Sequence, residues 1–137
     1  MAVADLSVDK AQRLASLLNR GVVRMRLGDL ARAAGDFDVV IRAAPQLAEG
    51  WINKGLVLSQ SGGREQEALA LLNHGLSLGP IYPARAYFAR ANLQESLGKL
   101  REAYEDYGQA AALDPEWSAP AEELKRFKIV RRKVMRG

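Results

Sequence analysis

His74 is the only histidine of the chain, and there is no cysteine. A metal site built on imidazole or thiolate ligands would therefore have one such ligand at most, whereas structural zinc sites use four. A Ser–His–Asp arrangement would depend on the same side chain, and its neighbours Asn73 and Gly75 provide neither an acid nor a nucleophile. We therefore interpret His74 as an ordinary, partly exposed helix residue.

Pairs of acidic residues are the other candidates for chemistry, because one carboxyl group can act as an acid while its neighbour acts as a base. The pairs are Glu65/Glu67, Glu105/Asp106 and Glu122/Glu123. They fall mostly on solvent-facing helix positions or at helix starts, where a carboxylate favours the helix dipole. We therefore expect no catalytic residue and no enzyme activity.

The Gly62-Gly63 segment invites comparison with a phosphate-binding loop. The sequence Ser61-Gly62-Gly63-Arg64 lacks both the preceding strand and the Gly-Lys-Ser/Thr ending that would place a lysine on a phosphate. We interpret the segment as a loose turn, and we predict no cofactor and no metal.

The elements around these residues repeat along the chain. Each unit contains two apolar stretches of helical period, joined by a turn such as the one at Gly98 and closed by a proline such as Pro115. A proline disfavours a helical conformation at the preceding residue, which ends the second helix. Three series of residues recur every 35 positions: Ala33, Ala68 and Ala103; Phe37, Leu72 and Tyr107; and Pro45, Pro80 and Pro115.

This pattern resembles the tetratricopeptide repeat (TPR) family, whose signature combines small residues, an alanine, an aromatic residue and a closing proline over about 34 residues. The resemblance spans roughly residues 14–117, and the third unit fits best. Arg20, Lys54 and Arg90 depart from the family, which usually has leucine at these packing positions. The resemblance implies an all-α, right-handed α-solenoid of three helix–turn–helix repeats followed by a C-terminal capping helix.

The repeat pattern divides the chain into five segments. We expect an N-terminal lead over residues 1–13, repeats over 14–47, 48–82 and 84–117, and a basic capping helix over 118–137. Helices are predicted at about 9–27, 30–43, 46–61, 64–78, 84–97, 100–113 and 116–136. Asp9 is the predicted N-cap of the first helix, because a carboxylate can accept hydrogen bonds from the free backbone N–H groups there.

In this family the first helices of the repeats line a concave groove, and the resemblance implies that the groove binds another protein. The side chains expected in it combine apolar residues with amides, which offer donors and an acceptor to an extended peptide backbone. The predicted groove residues are Leu18, Asn19, Val22, Ile52, Asn53, Leu56, Arg85, Phe88, Asn92 and Glu95. The alternative is that some of the apolar members only pack against the next helix.

One subset of the family grips the C-terminal carboxylates of heat-shock chaperones with lysine, asparagine and arginine. Asn53 and Arg85 match two of those positions. Leu18, Val22 and Ala89 occupy the other three, so that two cations are missing or displaced. The clamp should therefore not form, and we expect a more hydrophobic ligand.

The basic character of the chain is concentrated at its C-terminus. Residues 118–137 carry seven Lys or Arg against two Glu, or +5, whereas the whole chain carries +4, so residues 1–117 carry −1. Such cations offset the negative end of the helix dipole at the C-terminus, which stabilises the helix, and they keep a capping helix soluble. The alternative function is binding of a polyanion, nucleic acid or an anionic membrane, through Lys125, Arg131, Arg132 and Lys133.

The sequence as a whole favours a non-catalytic adaptor that binds a peptide or helix of another protein, with weak self-association as a second prediction. The longest uncharged run, residues 68–84, is broken by two glycines and two prolines, so no membrane span is predicted. The first residues show no signal peptide. We expect a soluble, cytoplasmic protein, although a removed signal peptide would leave no trace.

Overall fold

The computed structural model describes residues 7–136, with side chains described as far as residue 127. In this range the chain forms seven α-helices and no strand: α1 (Val8–Arg26), α2 (Leu30–Ala43), α3 (Ala48–Ser61), α4 (Glu65–Ser77), α5 (Ala84–Ser96), α6 (Leu100–Leu113) and α7 (Ser118–Arg136). The all-α fold of helical repeats predicted from the sequence is therefore confirmed.

The helix ends agree with the prediction to within about two residues, but the predicted cap of α1 is wrong. The cap is Ser7, whose hydroxyl accepts a hydrogen bond of 3.2 Å from the backbone N–H of Lys10. Asp9 lies in the first turn instead, where its carboxylate favours the helix dipole. Serine and aspartate are both common caps, so the residue type alone did not decide between them.

Glycines in the left-handed region join the paired helices. Gly98 has a φ of 79° between α5 and α6, and Gly28 has a φ of 83° between α1 and α2. At the first of these turns, the backbone N–H of Lys99 donates a hydrogen bond of 2.8 Å to the carbonyl of Gln94. This bond closes α5 and sends the chain back alongside it.

The chain divides into two compact units, Met1–Pro80 and Ile81–Gly137. In the first unit α1 and α2 form a hairpin, α3 packs mainly on α2 and also contacts α1, and α4 packs on α3. In the second unit α5 and α6 form a hairpin, and α7 packs on α6.

A residue of α3 closes the core between α1 and α2. Met25, Ala33 and Phe37 form an apolar cluster that Val57 completes. The side chain of Phe37 is fully buried, and that of Val57 is 1% exposed. Gly21 permits this close packing, because a β-carbon at its position would lie 2.5 Å from the Phe37 ring.

The core of the second unit uses the same positions with other side chains. Ala91, Ala103 and Tyr107 form its cluster, and Phe127 of α7 completes it with 4% exposure. Phe127 therefore stands in the second unit where Val57 stands in the first. It follows that α7 packs on its hairpin as the first helix of a further repeat would.

Candidate functional site

Six of the predicted groove residues lie in the first unit, on the neighbouring helices α1 and α3. We call this surface the α1–α3 face, and it consists of Leu18, Asn19, Val22, Ile52, Asn53 and Leu56. Leu18, Val22 and Leu56 are half-buried and pack against the core that Phe37 and Val57 form. Ile52 is only 8% exposed and packs toward α4, where its Cγ1 would lie 2.5 Å from a β-carbon at Gly75, so it belongs to the core and offers a ligand little surface. The core thus supports an apolar surface that remains partly open to solvent.

Two amides accompany these apolar side chains. Asn19 is exposed and Asn53 is half-buried. Among the residues whose side chains the structure describes, neither amide has a hydrogen-bond partner. The neighbouring cation Lys54 is engaged elsewhere, since its Nζ lies 2.7 Å from Oδ1 of Asp38. The face therefore offers amide donors and acceptors to a ligand.

The other four predicted groove residues lie on α5, in the second unit. The ring centre of Phe88 lies 4.8 Å from that of Trp117 and 5.4 Å from that of Tyr107. The guanidinium of Arg85 lies 4.8 Å from the centre of the Trp117 ring, which is a cation–π distance. Phe88 and Arg85 therefore both contact Trp117, the residue directly before α7.

Asn92 and Glu95 belong to a polar network with α6 and α7. The Tyr107 hydroxyl lies 2.5 Å from Oδ1 of Asn92 and 3.0 Å from Oε1 of Glu95. Arg126 donates two hydrogen bonds of 3.0 Å to Glu95 and two others to Glu123. The bonds from Arg126 hold the pKa of Glu95 below its ordinary value. Burial, followed by the carboxylate of Glu95, raises the pKa of Tyr107.

The structure thus separates the predicted groove residues by environment. Those of the α1–α3 face are apolar side chains and unpaired amides. Those of α5 are engaged with residues of their own unit. The groove that would join both sets stays a prediction.

Two ion pairs with buried carboxylates were not predicted from the sequence. Asp36 and Asp106 are 4% and 5% exposed. Arg20 donates hydrogen bonds of 3.1 and 2.8 Å to Asp36, and Arg90 donates bonds of 2.6 and 2.9 Å to Asp106. Both pairs have the two-bond geometry that makes arginine–carboxylate contacts strong. The bonds from Arg20 also hold the pKa of Asp36 below its ordinary value.

A sequence signal for these pairs was present in the arginine positions that depart from the family pattern. In the first and third repeats an aspartate follows the arginine by 16 residues. The second repeat has Lys54 and, 16 residues later, Ala70. Its lysine pairs with Asp38 of α2 instead. These charged contacts link neighbouring helices.

His74 remains as a candidate for chemistry. His74 is exposed, and its ring centre lies 4.3 Å from that of Trp51. In the part of the chain that the structure describes, no three His, Cys, Asp or Glu side chains are grouped so as to hold a metal ion. None of the described helices is both long enough and apolar enough to cross a membrane.

The predicted polyanion site is described only at its first residue. Lys125 is exposed, and its Nζ lies 3.2 Å from Oε2 of Glu122. The side chains of Arg131, Arg132 and Lys133 lie outside the described residues. Polyanion binding therefore stays a prediction.

Comparison with known proteins finds one family match within the chain. Residues 84–117 match the family model of the tetratricopeptide repeat. Among curated proteins, none matches the chain significantly.

Several solved structures share the fold. The first TPR domain of Spaghetti (RPAP3), bound to the HSP90 peptide SRMEEVD, is 21% identical and has a TM-score of 0.78 over 88% of this chain and 94% of that one. The type III secretion translocator chaperone SycD of Yersinia enterocolitica is 19% identical, with a TM-score of 0.76 over 88% and 95% of the two chains. The Arabidopsis OM64 TPR domain is 18% identical, with a TM-score of 0.76 over 85% and 95%.

Proposed function

We propose that this chain, a tetratricopeptide repeat protein, is a non-catalytic adaptor that binds a peptide or helix of another protein on its α1–α3 face. One observation carries the proposal. The face combines half-buried apolar side chains with two amides that have no partner among the described residues. Such a surface suits a ligand that buries apolar side chains while its backbone bonds to the amides.

The equivalent surface of the second unit suits a ligand less well. Asn92 and Glu95 already bond to Tyr107 and Arg126. A ligand would have to replace those bonds, and a buried group left without its partner costs about 1–3 kcal/mol. We therefore assign the main contact to the α1–α3 face.

Two proteins of similar fold support a protein partner. The Spaghetti domain is described as bound to an HSP90 peptide, and SycD is described as a translocator chaperone. Three of the last four residues of the Spaghetti peptide, EEVD, are acidic. On the α1–α3 face no residue is cationic, so the ligand of this chain should be more apolar than that peptide.

Substitutions on the α1–α3 face test the proposal. The partner is first captured with the wild-type chain, and its bound peptide is mapped. Asn53→Ala should then weaken binding of that peptide by about 1 kcal/mol, roughly fivefold, because one hydrogen bond is lost. Leu56→Asp should weaken it more, because it places a charge within the apolar contact. Both affinities are measured by isothermal titration calorimetry.

Gln66→Ala provides the matched control, since Gln66 is an exposed amide on α4. Phe88→Ala is a poorer test than the sequence suggests, because loss of this ring would also loosen its contacts with Tyr107 and Trp117. Unchanged affinity in Asn53→Ala and Leu56→Asp, with helicity intact, would refute binding on this face.

Salt distinguishes the polyanion alternative. Engaging roughly five cations on duplex DNA gives a slope of about −4 to −5 for log K against log salt, whereas an apolar peptide responds weakly. Reversing Arg131, Arg132 and Lys133 to Glu supplies the second comparison. If partner binding collapses in this variant while the chain stays helical, the basic helix makes the contact and the assignment to the α1–α3 face is wrong.

A further inference from the structure

Val23 breaks the burial pattern of the repeats. Val57 and Phe127 occupy the same repeat position in α3 and α7, where they are 1% and 4% exposed and each closes a core. Val23 occupies that position in α1 and is 53% exposed. A single exposed valine is ordinary on a protein surface, so its surroundings decide whether it has a role.

The residues around Val23 form a continuous stripe along α1 and its C-cap, Leu27. Leu27 is 78% exposed, and the side chains of Arg20 and Arg24 are 55% and 28% exposed. These four residues stand at positions i, i+3, i+4 and i+7, which share one helix face. We call this surface the α1 edge, and it has no residue in common with the α1–α3 face.

The α1 edge carries an excess of positive charge. Arg20 and Arg24 both donate hydrogen bonds to the one carboxylate of Asp36. Two cations therefore share one anion. A partner of the edge would gain from a carboxylate beside its apolar contact.

Helix α3 is the counterpart of α1 in the next repeat, and its corresponding face is covered by α2. On α3, Val57 enters the cluster that includes Ala33 and Phe37 of α2. Lys54, which occupies the repeat position of Arg20, meets Asp38 of α2 at 2.7 Å. The cover is thus an amphipathic helix whose stripe of small and aromatic residues is flanked by a carboxylate.

We propose that the α1 edge docks an amphipathic helix of this chemistry from a partner protein. Its apolar stripe covers Val23 and Leu27, and its carboxylate pairs with Arg20. This second surface goes beyond the adaptor function of the α1–α3 face, because a partner can bind it while that face is occupied or empty.

The chain itself supplies a probe of the required chemistry. A hydrocarbon-stapled peptide of residues 29–45, which contains α2 with Asp38, is titrated into the full methyl-labelled chain and followed by NMR. The methyl signals of Val23 and Leu27 should shift saturably. The same peptide with Asp38→Asn should bind about fivefold more weakly, as expected for the loss of one exposed ion pair.

Two variants of the chain separate docking from unspecific binding. Val23→Asp should abolish the saturable shifts. Leu100→Asp, at a residue of the second unit that is 43% exposed, should leave them unchanged. Both variants alter an exposed side chain, so circular dichroism should show the same helicity for each.

Three results would overturn the proposal. The first is no saturable shift at Val23 and Leu27 up to millimolar peptide. The second is a set of shifts centred on Val57 and Phe37, which would mean that the peptide displaces α2 from α3. The third is a concentration-dependent mass of the chain alone in light scattering that Val23→Asp abolishes, because the edge would then bind a second copy of the chain.

Discussion

The helices α1, α2 and α3 and the helices α5, α6 and α7 form two three-helix groups that agree in their cores and differ on one surface. In each group a buried aromatic ring of the second helix meets a residue of the third. On the face formed by the first and third helices, the first group has Val22 and Leu56. The second group has Asn92 and Arg126 at the same repeat positions.

The difference follows from how each third helix is held. Helix α3 packs against α2 on one side and α4 on the other. Helix α7 packs on α6, and the bonds from Arg126 to Glu95 add a link to α5. The second group thus uses its face to fasten its last helix. In the first group, α3 contacts both α2 and α4. The face formed by α1 and α3 carries apolar side chains and amides that have no hydrogen-bond partner among the described residues.

The largest expected effect concerns the residues that close the two cores. Phe127→Ala should lower the free energy of unfolding by about 3–5 kcal/mol, because a large buried ring is replaced by a cavity. Val57→Ala should cost about 2 kcal/mol, since it removes two methyl groups of about 0.8 kcal/mol each and leaves a smaller cavity. Urea unfolding followed by circular dichroism measures both.

The two tryptophans allow the groups to be followed separately. Trp51 lies in α3 and Trp117 directly before α7, so a Trp→Phe replacement of one leaves fluorescence from the other. Val39→Ala is the control, because this side chain is 39% exposed and its loss should cost less than about 0.5 kcal/mol. An effect of Phe127→Ala no larger than that of the control would show that Phe127 does not close the second core.

The next effect concerns the buried carboxylates. Asp106→Asn should cost about 2 kcal/mol, because it leaves the Arg90 side chain, only 22% exposed, without its counter-charge. Asp36→Asn should cost about 1 kcal/mol, since the 55% exposed Arg20 can turn to water and the 28% exposed Arg24 stays partly hydrated. Urea unfolding at pH 7 compares the two variants with the wild type.

Acid tests the origin of the Asp36 contribution. Arg20 lowers the pKa of Asp36 in the folded chain. Its contribution is therefore fully present above the ordinary aspartate pKa of about 3.9 and is lost as the pH falls through the lowered value. The difference in stability between wild type and Asp36→Asn should shrink below about pH 4. A difference that stays constant from pH 7 to pH 2 would contradict this ion pair.

The sequence predicted the number and order of the helices because close packing of paired helices requires small residues and rings at fixed intervals. Ala33, Phe37 and the residues at the same positions of the other repeats meet that requirement. The cap of α1 was predicted wrongly, because Ser7 and Asp9 are both residue types that cap helices well. The choice between them decides only the residue at which the helix begins.

The surroundings of the candidate site could be predicted only in part. The repeat pattern assigned Asn92 and Glu95 to a binding surface, as it did Asn53. It could not show that the Tyr107 hydroxyl and the Arg126 guanidinium reach them, since those contacts join residues 12 to 31 positions apart. Such contacts depend on how far a side chain reaches between packed helices, which repeat spacing does not specify.

The smallest expected effect concerns the link between α5 and α7. Arg126→Gln should lower the free energy of unfolding by about 0.5–1 kcal/mol, because the Arg126 side chain is 52% exposed and its bonds to Glu95 compete with water. The loss should become smaller in about 1 M salt, where the Debye length is about 3 Å. A double-mutant cycle with Glu95→Gln isolates the pair from other contacts of either residue.

Lys125→Gln is the matched control, since its side chain is 74% exposed and pairs with Glu122 on the same helix. It should have almost no effect on unfolding. Arg126 lowers the pKa of Glu95, so the coupling is present above the ordinary glutamate pKa of about 4.3 and is lost as the pH falls through the lowered value. A coupling energy near zero at pH 7 and low salt would mean that the Arg126–Glu95 pair contributes nothing and that α7 is held by apolar packing alone. The polar face of the second group would then be as free to bind a ligand as the apolar face of the first.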